Sequence, residues 1–173
     1  MLPAITTLIR ICLLVARPQD LPASREFFYL CVAAAFAILF MGYSILAGTG
    51  NPLLLAAINT ALLGVIWLVI LQVAWRTDRW IQSASAIYGS AAILNLISLP
   101  IITSGLDIPS MDKEGISETS RLVIIGLWAW EVAVTARITR ETLEINLPLA
   151  VILSVAMSFV LQMAMVTMFG STS

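Results

Sequence analysis

The sequence predicts an all-α, polytopic membrane protein: five transmembrane helices preceded by a short interfacial amphipathic helix, in one membrane domain over residues 1–173. Three observations predict this. Five apolar segments run about 27–47, 53–75, 84–104, 120–136 and 147–169. All but the fourth are long enough to cross a hydrocarbon core of ~30 Å at ~1.5 Å rise per residue. Composition agrees: 60% of residues are hydrophobic and 11% charged, where a soluble domain carries about 25% charged. With a mean hydropathy of +1.00, part of the apolar surface must be solvated by lipid. Third, positive charge is sorted. Arg10, Arg17 and Arg25 precede the first span, Arg76 and Arg79 follow the second, and Arg137 and Arg140 follow the fourth. If the spans alternate, these share one side, and only Lys113 and Arg121 fall on the other. Short loops rich in Arg mark the cytoplasmic face. The expected placement is a bacterial inner membrane, with the N-terminus cytoplasmic and the C-terminal tail periplasmic.

The elements follow in order. Leu2, Ile5, Ile9, Cys12 and Ala16 recur at helical spacing, with Thr6, Arg10 and Arg17 on other faces. This stretch is too short to span easily and reads as a helix lying on the cytoplasmic surface. It lacks the basic start and long apolar run of a secretory signal. Pro18 and Pro22 then break the helix, so residues 1–24 form a surface helix and a proline elbow. Ser24 is placed to cap the first span. Gly48-Thr-Gly-Asn-Pro52 is a run of helix breakers, which folds the first two spans into a hairpin. Phe28, Tyr29, Trp75 and Trp80 fit aromatic belts at the headgroup level. The third span is rich in small residues, Ala84-Ser-Ala86 and Gly89-Ser-Ala-Ala92, as the first is at Ala33-Ala-Ala-Phe-Ala37. Such residues let helices approach closely. Pro100 is placed to kink the third span near its outer end. The loop 105–119 carries Asp107, Asp112, Glu114 and Glu118 against Lys113. It reads either as a solvated connector or as a cation-attracting or partner-binding loop.

One ionisable residue falls inside a span. Glu131 lies in Ile124-Ile-Gly-Leu-Trp-Ala-Trp-Glu-Val-Ala-Val134, about 9 Å along the helix from Arg137. An intramembrane carboxyl costs several kcal/mol unless it is paired, protonated or reached by water, so it should face the bundle. It reads as a proton- or cation-binding group, as a protonated acid bonded to a neighbouring helix, or as a side chain snorkelling toward Arg137. Asn59, Gln72, Asn95 and Gln162 are its candidate partners. Gln72 is the first choice, because it lies near the same end of its span. Arg137 and Arg140 form a short cationic turn that suits lipid phosphates.

Several chemistries lack their residues. The chain has no histidine, the commonest general base and metal ligand. No Gly-rich phosphate loop and no metal-ligand cluster is visible, so no catalytic residue, metal site or cofactor is assigned. The net charge of −1 gives no reason to expect nucleic acid. Cys12 and Cys31 sit in apolar surroundings and read as inert fillers.

Ile87-Tyr-Gly and Leu99-Pro100 in the third span, with Leu127-Trp-Ala-Trp-Glu131 in the fourth, resemble the Yip-type (Ypt-interacting) membrane proteins. The resemblance spans about residues 27–169 and implies a five-helix integral membrane fold. In eukaryotes the family serves vesicle trafficking with small GTPases, through a long hydrophilic N-terminal region that this chain lacks. The Arg17-Pro-Gln-Asp-Leu-Pro-Ala-Ser24 element is also similar to a group of uncharacterised proteobacterial membrane proteins. The leading expectation is a non-enzymatic accessory or scaffold protein that binds lipids and a membrane-protein partner, or forms a homo-oligomer. A small proton- or cation-coupled transporter using Glu131 is the alternative. A lipid-modifying membrane enzyme using Glu131, Arg137 and Arg140 is the third.

Overall fold

The computed structural model of the chain describes residues 2–46, 51–105 and 118–169. Most of the expected turn at 48–52, most of the acidic loop and the C-terminal tail lie outside these residues. The described residues form α1 (Leu2–Cys12), α2 (Arg25–Leu46), α3 (Pro52–Val73), α4 (Trp80–Gly105), α5 (Glu118–Leu143) and α6 (Leu147–Phe169), with no strand among them. Four apolar stretches, Arg25–Ile45, Pro52–Val73, Thr77–Pro100 and Leu147–Thr167, are long and apolar enough to cross a membrane. Many exposed side chains on them are large and apolar, including Val65, Val69, Ile152, Phe159 and Val160. Both facts are consistent with an integral membrane protein. The helix expected as the fourth span is not among those four.

Local chemistry sets the helix ends. Ser24 does cap α2: its Oγ accepts from the Phe27 N–H at 3.3 Å. Asn51 caps α3, accepting from the Leu53 and Leu54 N–H groups at 3.1 and 3.3 Å, and Pro52 occupies the first position. Asn146 accepts from the Leu149 N–H at 3.1 Å to start α6. α1, α3 and α5 are followed by Leu14, Trp75 and Glu144, all in the left-handed region with φ of 61°, 55° and 57°. Glycine is usual there, and a side chain costs about 1–2 kcal/mol.

α2, α3, α6, α5 and α4 close a ring in that order, each packed on two neighbours. The α1–α2, α3–α4 and α5–α6 connections meet at one end. There, the Gln19 side chain donates to the Glu141 carbonyl at 2.7 Å, and Gln82 donates to the Leu21 carbonyl at 3.0 Å. This is the charged end, and helix direction alternates along the chain as the sequence suggested, with α2 and α4 running side by side in the same direction. The proline elbow is a single 3₁₀ turn, in which the Asp20 carboxylate accepts from the Arg17 N–H at 2.9 Å.

Two elements differ from expectation. α1 is a packed part of the bundle, lying on the outer side of α4. Its buried face is Ala4, Leu8, Ile11 and Cys12, while Ile5 and Ile9 are 45% and 46% exposed. Thr6, Thr7 and Arg10 share one side of the helix, and the docking face lies within the broad apolar arc opposite, where Leu8 seats on Gly89. A Cβ at Gly89 would stand 2.7 Å from both Leu8 methyls and 3.3 Å from the Cys31 sulfur. With α1 outside it and the ring inside, every residue from 83 to 90 is buried, which accounts for the small residues of α4. Cys12 is buried too, and burial pushes its thiol up to about 11, as an inert filler requires. The second difference is α5. The apolar stretch ends at Arg137, but the helix continues to Leu143. Arginine is a good helix former, and Arg79 receives the helix end by donating to the Thr142 carbonyl at 3.1 Å.

Candidate functional site

The two ends of the ring are built differently. Toward the charged end the interior is filled. Trp67, Leu71, Val134, Ile138, Thr139, Thr142, Ser83, Ser85 and Ser154 are all below 2% exposed. Their polar atoms are mostly satisfied locally. The Trp67 indole N–H donates to Ser83 Oγ at 3.0 Å, and Ser83 donates to the Arg79 carbonyl at 2.7 Å. Ser154 donates to the Ala150 carbonyl at 2.9 Å. Charged side chains close this end over the packed core. Arg79 bonds Glu144 at 2.6 Å, Arg76 pairs with the same carboxylate, and Arg17 lies 3.7 Å from Glu141. The hydrogen bond from Arg79, helped by the charges of Arg76 and Arg79, holds the Glu144 carboxyl below the usual range.

Beyond this plug the ring surrounds a cavity of about 490 Å³. Every helix of the ring contributes a stripe at helical spacing: Ala35, Leu39 and Tyr43 from α2, Asn59 and Leu63 from α3, and Tyr88, Ala91 and Asn95 from α4. α5 supplies Trp128, Glu131 and Thr135; α6 supplies Met157, Ser158, Leu161, Gln162, Met165 and Val166. Trp128 and Val166 are also exposed, at 42% and 62%, and mark the open side. Hydrogen bonds hold the wall in place. The Tyr88 hydroxyl donates to the Thr60 carbonyl at 2.7 Å, tying α4 to α3. Gly64 makes this possible, because a Cβ there would meet the Tyr88 oxygen at 2.5 Å. Asn59 donates to the Tyr43 hydroxyl at 2.8 Å, tying α3 to α2.

Among the described residues Glu131 is the one carboxyl that lines the cavity, and no arginine or lysine joins it there. It makes no hydrogen bond or ion pair to a described residue. Since α5 continues to Leu143, Glu131 lies about 18 Å from the end of its helix rather than near a boundary. Asn59, Asn95 and Gln162 share its cavity, as expected. Gln72 does not: it is exposed in the last turn of α3. Gln72 was chosen for depth alone, but at ~3.6 residues per turn it points well away from Asn59, which faces inward. Arg137 and Arg140 do not line the cavity either. Arg140 is exposed, and Arg137 is half-buried with its Nε atom unpartnered. Tyr43, Tyr88, Ser90, Thr135 and Ser158 were missed. Their signal was spacing: Glu131 and Thr135, or Ser158 and Gln162, are one turn apart on a single face.

No protein family, curated protein or solved structure matches this chain.

Proposed function

We propose that this protein is a small integral membrane transporter, coupled to protons or cations through Glu131. The observation that carries the reading is an unpaired carboxyl facing a central cavity among amides and hydroxyls. A purely structural acid inside a bundle would be expected to hold a hydrogen-bond partner, since an unsatisfied buried polar group costs about 1–3 kcal/mol. Here the free face of Glu131 is left to a proton or to cargo. The filled, ion-paired end supports a closed gate, with the cavity accessible from the opposite side. The positive-inside rule supports a cytoplasmic gate, in keeping with the expected placement in a bacterial inner membrane. The alternation of helix direction along the chain supports α5 as a fifth span despite its charges. The Yip-type resemblance fits a five-helix arrangement and names no cargo.

The accessory-protein reading draws on exposed apolar side chains of α1 and of the residues just after it, Ile5, Ile9, Leu13 and Val15, which are at least 45% exposed; lipid covers such a surface equally well. The lipid-enzyme reading needs Arg137 and Arg140 beside Glu131, and neither shares its cavity. The test is proton uptake into proteoliposomes under an imposed pH gradient. Transport predicts uptake by the native protein and its loss in Glu131→Gln. An accessory protein shows no uptake in either and yields a stoichiometric membrane partner on mild-detergent purification.

A further inference from the structure

Taking the transporter reading as its basis, we infer that the cavity binds a hydrophobic organic monocation, of the quaternary ammonium or phosphonium type, in exchange for the proton of Glu131. Charge decides the sign of the ligand. Among the described residues the lining offers one carboxyl and no basic side chain, so an anion finds no counter-charge there. Hydrogen bonding points the same way. The Asn95 amide donates to the Ala91 carbonyl at 2.8 Å, the Ser90 hydroxyl to the Ile87 carbonyl at 3.1 Å, and the Tyr88 hydroxyl to Thr60. Asn59 spends a donor on Tyr43. The oxygens of Asn59, Asn95 and Tyr88 remain as acceptors beside the Glu131 carboxyl, while Tyr43, Thr135, Ser158 and Gln162 keep donors of their own. The formal charge of the described lining therefore rests on Glu131 alone.

Size and surface chemistry define the rest of the ligand. About 490 Å³ is the volume of a drug-sized site and far exceeds what a bare proton or sodium ion occupies. Trp128 and Tyr43 offer ring faces that attract a soft cation. Met157 and Met165 offer polarisable, adaptable surface. A divalent metal is disfavoured, since no group of three or more His, Cys, Asp or Glu that could hold one occurs among the described residues.

The exchange balances. A neutral, protonated Glu131 takes up one cation, forms a carboxylate–cation pair, and releases one proton. The other titratable groups facing the cavity are the phenols of Tyr43 on α2 and Tyr88 on α4. α3 and α6 present only amides, a serine hydroxyl and apolar side chains. Affinity should therefore rise with pH along a single-proton slope, approaching about one log unit per pH unit while Glu131 is protonated in the free protein.

The test is equilibrium dialysis of radiolabelled tetraphenylphosphonium against the full-length protein in phospholipid nanodiscs, with empty nanodiscs as background. Tetraphenylborate, of the same shape and opposite charge, is the control. The inference predicts saturable one-to-one binding of the cation, release of one proton, no saturable binding of the anion, loss in Glu131→Gln, and retention in Glu131→Asp. Both variants must elute and unfold like the native protein. Equal binding of cation and anion, or binding unchanged in Glu131→Gln, overturns it. No cation binding with Glu131-dependent proton uptake intact overturns the ligand class and leaves the transporter reading standing. Absence of both overturns the two together.

Discussion

The same five helices pack as a solid plug at one end of the ring and surround a cavity beyond it. The difference is one of side-chain chemistry, because α3, α4, α5 and α6 contribute to both. In the plug, large groups such as Trp67, Leu71 and Ile138 meet small ones such as Ser83, Ser85 and Ser154, and hydroxyls bond to carbonyls of their own helix. The ion-paired arginines and glutamates lie over the plug, while Arg137 is half-buried with its Nε enclosed and unpartnered. In the cavity, Tyr43, Asn59, Asn95, Glu131 and Gln162 face one another without filling the space. A fold that sought only stability would pack both regions alike. The polar region is therefore where the sequence departs from close packing, which is the basis of the proposed function.

That contrast can be broken from either side. The largest stability effect is expected in the plug. Trp67→Ala removes a fully buried indole and its bond to Ser83, and should cost about 3–5 kcal/mol. Denaturant unfolding in detergent measures this. Next comes Gly89→Val, which forces a side chain into Leu8 and Cys31. A cost of about 1–3 kcal/mol is expected, with partial release of α1. Maleimide labelling of Cys12 and Cys31, slow in the native protein because both are buried, should accelerate.

The ion pairs over the plug should matter less to stability, because Glu144 is half-exposed. Its carboxyl titrates below 4.5 in the folded protein, so its contribution is complete above the unfolded value and disappears as pH falls through the lower, folded value. Native protein should thus lose stability below about pH 4 more steeply than Glu144→Gln, and a pH series of unfolding midpoints checks it. If the latch is the gate, Glu144→Gln also leaks protons at neutral pH. The smallest stability change is expected inside the cavity. Ser158→Leu fills space and removes no bond described for that residue, so it should leave unfolding unchanged while reducing proton uptake. Loss of stability without loss of flux would mean that the cavity is a packing defect.

The sequence made the spans legible because lipid imposes a length of apolar chain, and α2, α3 and α6 lie close to where that rule put them. It made Glu131 legible for the same reason, since a carboxyl in such a segment is conspicuous. Three of its four candidate partners share its cavity. The fourth, Gln72, shows what depth alone misses: rotation about the helix axis decides which residues meet. α5 outran its apolar stretch because a helix ends where its carbonyls find caps, and Arg79 supplies that from another connection. The docking of α1 was only partly legible: Thr6, Thr7 and Arg10 mark its polar side, but the apolar arc opposite is broader than the contact and leaves Ile5 and Ile9 exposed, with Leu8 seated on Gly89.

The most direct test reads folding and flux in one preparation of Glu131→Gln. The side chain is nearly isosteric and no partner is lost, so the unfolding midpoint should stay the same or rise while proton uptake falls to the level of empty liposomes. A lower midpoint with uptake intact would contradict the account, making Glu131 a structural acid.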